Sequence, residues 1–151
     1  TLTHWLVVFL AVVATAGAVW WISRDDGTLL KPDDPAITAR GAEIYTEACA
    51  SCHGDALQGQ PNWHEKLPNG RMPAPPHDET GHTWHHTDAD LFAITKHGTA
   101  VLVGNGYQSD MPGYSKILSD DDIVAVLSFI KESWPLEVRQ RHDEINQRGD
   151  H

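Results

Sequence analysis

Cys49-Ala50-Ser51-Cys52-His53 is the stretch of this chain whose residue types and spacing could do chemistry, and its two cysteines are the only ones in 151 residues. Two thiols at this spacing can add to the two vinyl groups of one haem, and the adjoining histidine then reaches the iron as its proximal ligand. Three other chemistries compete for the motif. A thioredoxin-like redox pair needs a βαβ setting, and no strand-helix alternation surrounds Cys49. A structural zinc site wants four ligands, commonly a second cysteine pair, which the sequence lacks. A plain disulfide suits an oxidising compartment but leaves His53 without a role.

A haem held by His53 needs a ligand on its opposite face. Met111, in Asp110-Met111-Pro112-Gly113-Tyr114, and Met72 are the only methionines. Met72 lies much nearer His53 in sequence, and the chain must travel around a porphyrin before it can close the far side, which favours Met111. Met72 then reads as loop packing, since a thioether fills irregular apolar gaps. His97 could instead give a bis-histidine site, but its place at a helix C-terminus is explained by a cation near the negative dipole end.

These groups must be positioned by helices. Asp34-Pro35 is a helix start, and Ile37, Gly41, Ile44, Tyr45 and Ala48 line one face of a helix over 36–48. Gly41 costs about 1 kcal/mol relative to alanine there, which a close helix crossing would justify. Thr87 caps a helix over 88–97, closed by Gly98. Ser119, with Asp120-Asp121-Asp122, caps a final helix whose apolar stripe is Ile123, Leu127, Ile130 and Trp134, ended by Pro135. The stretch 54–86 is irregular, with Pro61, Pro68, Pro73, Pro75 and Pro76. A loop this long calls for something that orders it, and a haem could do so. The charged tail 136–151 reads as a solvated helix with a frayed end.

Trp5 to Ile22 carries no charged residue and approaches the ~20 apolar positions that cross a bilayer. Trp5 at one end and Trp20-Trp21 at the other suit the interfaces. Residues 1–22 therefore read as a transmembrane anchor contacting lipid; the rival is a signal peptide cleaved after Ala14-Thr15-Ala16. A polar linker at 23–35 follows, spanning about 20 Å as a flexible coil and at most about 45 Å extended. The remaining units are a haem domain at 36–135 and the tail at 136–151. With 11 basic against 21 acidic side chains and a formal net charge of −10, nucleic acid is excluded as a partner. A basic docking surface on a protein partner is the electrostatic match, and solubility alone is the other reading of the charge.

From Ala36 to Trp134 the chain resembles the monohaem class I c-type cytochromes. The Gly41/Tyr45 helix, the Cys-x-x-Cys-His motif, Met111-Pro112 and the final aromatic-bearing helix carry the likeness. The resemblance implies an all-α fold and one covalently attached haem c on Cys49 and Cys52, with His53 and Met111 as iron ligands. It also implies electron transfer without bond-making chemistry. Pro75 is the candidate for orienting His53, and Arg71 and Trp84 for holding the propionates. Cytochromes with this motif mature outside the bacterial inner membrane, which puts the haem domain in the periplasm. The implied partners are membrane redox complexes: a quinol–cytochrome c reductase as donor, a terminal oxidase or photosynthetic reaction centre as acceptor. The chain departs from the family in its retained anchor and in its Pro- and His-rich loop.

Of ten histidines, His77, His82, His85 and His86 cluster near Asp78 and Glu79. They are either copper or zinc ligands or a hydrated polar loop. The alternative from another functional class is a catalytic or ligand-sensing haem protein, peroxidase-like, with a labile distal ligand. A tethered carrier and a fixed subunit of a larger membrane complex share the same haem chemistry.

Overall fold

Asp34 starts the first helix as the sequence predicts. In a computed structural model, which describes residues 28–149, its carboxylate accepts the Ala36 and Ile37 amides at 2.9 and 3.2 Å. Helix α1 (Pro35–Ile44) follows with proline in its first turn. It does not run on regularly to Ala48. The backbone widens into a π-helical turn (Tyr45–Cys49) and tightens again as α2 (Ala50–His53). One helical run thus carries both cysteines and the histidine, and Gly54 ends it at φ 81°. π-turns inside helices recur at functional sites.

Helix α3 (Asp88–His97) has the expected limits, with Thr87 Oγ1 accepting the Asp90 amide and Gly98 closing it. A short helix, α4 (Thr99–Val103), follows directly and was not legible as a separate element. Helix α5 (Asp120–Glu132) opens on a full capping box between Ser119 and Asp122. Among the described residues there is no strand, in keeping with the all-α expectation. Between Gly54 and His86 the only helical element is one 3₁₀ turn, Thr83–His85.

α1 crosses α5 at Gly41. A Cβ there would lie 2.1 Å from the Ala125 carbonyl oxygen and 2.8 Å from Phe129 Cβ, so only glycine allows this approach. Around the crossing Ile44, Tyr45, Ile123, Ala125, Val126, Leu127, Ile130 and Trp134 form the core, joined by Leu30, Leu57 and Leu91.

Two segments expected to be loosely attached are docked. The tail is α6 (Leu136–Gly149), and its fully buried His142 donates from Nε2 to the His86 carbonyl at 2.9 Å. Asn146 bonds the Asp88 side chain and backbone amide, and buried Lys131 pairs with Asp143 at 2.6 Å. The tail's charged composition hid this contact, because the partners come from helices far away in sequence. The linker is also part of the body from Leu30 onward. Leu30 is buried and its amide donates to Asp88 at 3.1 Å, and the Lys31 amide donates to Ser128 Oγ at 2.9 Å. The expected anchor at 1–22 and the first part of the linker, 23–27, lie outside the described residues. Among the described residues no helix is long and apolar enough to cross a membrane.

Candidate functional site

Both thiols of the motif are free, Cys49 half-buried at the end of the π-turn and Cys52 exposed on α2. Burial, then the neighbouring Cys52, pushes the Cys49 thiol up to about 11. His53 is buried on the same helical run. Its Nδ1 lies 2.9 Å from the Pro75 carbonyl oxygen, and because a carbonyl only accepts, Nδ1 carries the proton. The other ring nitrogen, Nε2, is left with its lone pair, the form a metal takes. Burial holds the imidazole below its ordinary range, and the Pro75 bond opposes this only in part, so the ring is neutral at pH 7.

The loop that supplies Pro75 is pressed against the motif by backbone contacts. The Gly59 amide donates to the His53 carbonyl at 2.7 Å, and a Cβ at Gly59 would lie 2.5 Å from Pro76 N and 2.6 Å from the Pro75 carbonyl carbon. Gly59 also has φ +67°, so both space and conformation require glycine. Tyr45, buried in the π-turn, donates its hydroxyl to the Gly54 carbonyl at 2.9 Å and fixes the exit from α2.

Met111 sits on the loop between α4 and α5. Tyr114 ties that loop to the motif, since its hydroxyl donates to the Ala48 carbonyl, next to Cys49, at 2.8 Å. The Tyr114 and Ser115 amides donate to the last carbonyls of α3, Thr95 and Lys96, both at 3.0 Å. The Met111 sulfur accepts the Thr99 hydroxyl at 3.6 Å. Val101, Leu102 and Val103 of α4 follow with exposed apolar side chains, Val101 being 70% exposed. Met72 is half-buried between Arg71 and buried Pro73. Arg71 makes an ion pair with Asp110, so both methionines adjoin one bridge. Trp84 gives its indole N–H to the Glu79 carbonyl at 3.3 Å, and His97 is exposed at the end of α3.

The four clustered histidines divide. His77 turns inward and stacks on His53 with ring centroids 3.9 Å apart. His82 lies over Trp63 and edge-on to His86, and His85 stacks on Trp84. Among the described residues no group of three or more His, Cys, Asp or Glu side chains is arranged to hold a metal ion. Sequence reasoning missed His77 as a neighbour of His53; its only signal was its position two residues after Pro75. The Tyr114 and Thr99 contacts carried no sequence signal.

A helical domain that brings two thiols, a neutral histidine and a methionine loop together defines a protein built around a covalently held iron porphyrin. Residues 38–134 match the family model Cytochrome c, and the chain belongs to that family, as a class I c-type cytochrome. No solved structure matches it. The protein carries covalently attached haem c with its iron and is a haem electron-transfer protein.

Proposed function

We propose that Cys49 and Cys52 form the thioether links, that His53 and Met111 are the two axial ligands, and that the protein passes single electrons between membrane-bound respiratory or photosynthetic complexes. The observation that carries this reading is the His53–Pro75 hydrogen bond, which leaves the Nε2 lone pair free on the helical run that carries the two thiols. The bound group supplies one-electron cycling of its iron. The chain orients a neutral imidazole, presents a thioether that favours the reduced state and raises the potential, and offers the apolar side chains of α4 as a wall for the porphyrin. With His53 and Met111 both holding the iron, oxygen and peroxide would find no open site, which suits electron transfer over bond-making chemistry.

In this reading residues 1–22 anchor the protein in the bacterial inner membrane with the haem domain on the periplasmic side. The docking of Leu30 against Asp88 shortens the leash to residues 23–29, at most about 25 Å of chain. That supports a domain held in one orientation beside a membrane complex, with a reductase as donor or an oxidase or reaction centre as acceptor, over a wide-ranging shuttle. Gentle detergent extraction of the native membrane tests it. One partner co-purifying in stoichiometric amount supports a fixed subunit, and a protein emerging alone supports a tethered carrier. Appearance in the soluble fraction would contradict the anchor. Rapid carbon monoxide binding to the reduced protein would contradict the carrier in favour of a catalytic or sensing haem.

A further inference from the structure

We infer that His77 is a positioning residue for His53, its imidazole fixing the plane in which the His53 ring meets the iron. The inference rests on His53 being the proximal ligand. An imidazole bonded through Nε2 can still turn about the iron–nitrogen axis. The hydrogen bond from Nδ1 to the Pro75 carbonyl fixes the tautomer and part of the ring orientation, and a second contact on the ring face can narrow the turn further. A flat ring stacked at 3.9 Å, with the two planes 21° apart, does restrain it, because turning His53 drives its edge into the face of His77.

His77 can act as such a stop only if it cannot yield, and it is clamped at three points. Its amide donates to the Leu57 carbonyl at 2.7 Å, and its carbonyl accepts the Trp134 indole N–H at 2.7 Å. Its ring nitrogen Nδ1 lies 2.8 Å from Thr83 Oγ1. The Thr83 hydroxyl proton goes to the Pro76 carbonyl at 3.3 Å, so Thr83 accepts and His77 donates. Thr83 is itself buried, and Tyr45 closes the side of His77 edge-on at 6.4 Å. Leucine would fill this space but has no plane. Phenylalanine would keep the plane and lose the bond to Thr83. The negative face of the ring also lies against the ligand whose charge rises when the iron is oxidised, so His77 favours the oxidised state.

The experiment compares wild type, His77→Leu, His77→Phe and Thr83→Val as haem-loaded proteins, by ferric electron paramagnetic resonance and redox titration. His77→Leu is expected to spread the single low-spin signal into broadened or multiple g values and to move the reduction potential upward. His77→Phe, which keeps the plane and loses the bond, is expected to narrow the spread of His77→Leu to that of Thr83→Val. Thr83→Val, which keeps the ring but frees its rotation, is expected to broaden the signal, and it answers the question if His77→Leu fails to fold. Unchanged g values and potential in His77→Leu, or in Thr83→Val where His77→Leu fails to fold, overturn the positioning role; so does a His77→Phe protein that behaves like His77→Leu. A proton NMR spectrum of the ferric wild type in which the His53 ring resonances are not paramagnetically shifted overturns the His53 ligation itself, so the two failures are distinguishable.

Discussion

Gly41→Ala should be among the most damaging single-methyl additions the domain can receive. The new Cβ would meet the Ala125 carbonyl oxygen at 2.1 Å, its carbon at 2.7 Å and Phe129 Cβ at 2.8 Å. Two of the three are backbone atoms of α5, so no side-chain rotation relieves the clash. Restoring ordinary contact at about 3.5 Å means parting α1 from α5 by about 1.4 Å, a gap that forfeits about half or more of each affected dispersion contact. Overpacking of this kind costs about 1–3 kcal/mol and occasionally more. A backbone-on-backbone clash belongs at the upper end, about 3 kcal/mol. Alanine returns about 1 kcal/mol of helix propensity, which leaves a net loss of about 2 kcal/mol. At about 4 °C per kcal/mol for a domain of this size, the melting temperature should fall by about 8 °C. The assay is guanidinium unfolding of the haem-loaded protein followed by far-UV circular dichroism, where the midpoint should drop at unchanged m-value. Ala39→Gly, on the exposed side of the same helix, is the control. It should lose about 1 kcal/mol through propensity alone. If Gly41→Ala gains what Ala39→Gly loses, no close crossing exists and the packing account is wrong.

Ser119→Ala removes the hydroxyl that caps α5 and should destabilise the domain by about 1 kcal/mol, read as a lower denaturation midpoint. The same box gives an acid dependence. The Ser119 hydroxyl first, and Arg40 with it, hold the Asp122 carboxyl below its ordinary 3.8. Its contribution is therefore complete above the unfolded value and lost as pH falls through the folded one, and an acid titration in Asp122→Ala should lack that final step. His142 has the opposite chemistry and the same direction of loss. Burial first, then Lys131, lowers it below 6.5 against Asp88, Asp143 and the bond to the His86 carbonyl, with Trp134 packed edge-on beside it. Its Nδ1 is the one buried side-chain polar atom without a partner among the described residues. The unfolded chain takes up the proton more readily, so the docking of α6 is full above pH 6.5 and weakens below it. Hydrogen exchange, corrected for intrinsic rates, should show amides of residues 136–149 less protected at pH 5 than at pH 7.5; equal protection would refute this.

What was legible in the sequence was local. The caps at Asp34, Thr87 and Ser119 and the stop at Gly98 are short-range signals, and they mark the starts of α1, α3 and α5 and the end of α3. Gly41 also spoke plainly, since a glycine amid apolar helix positions needs a neighbour close by. The motif named its chemistry because two thiols and a histidine at that spacing have few other uses. What stayed hidden depends on contacts between distant segments. A charged tail looks solvated until Lys131, Asp88 and the His86 carbonyl supply partners for Asp143, Asn146 and His142. A polar linker looks flexible until Asp88 and Ser128 take its amides. The histidine-rich loop looked like one cluster, and only the fold separates His77, turned onto His53, from its neighbours. The π-turn has no clear signature, since Tyr45 to Cys49 satisfies an ordinary helical pattern.

We propose a haem held between His53 and Met111. The most direct measurement is the far-red absorption of the ferric protein, where a sulfur-to-iron charge-transfer band reports a thioether ligand. The band should be present in wild type and in Met72→Ala and absent in Met111→Ala. A band that survives Met111→Ala and vanishes in Met72→Ala, or that is missing from wild type, would contradict it.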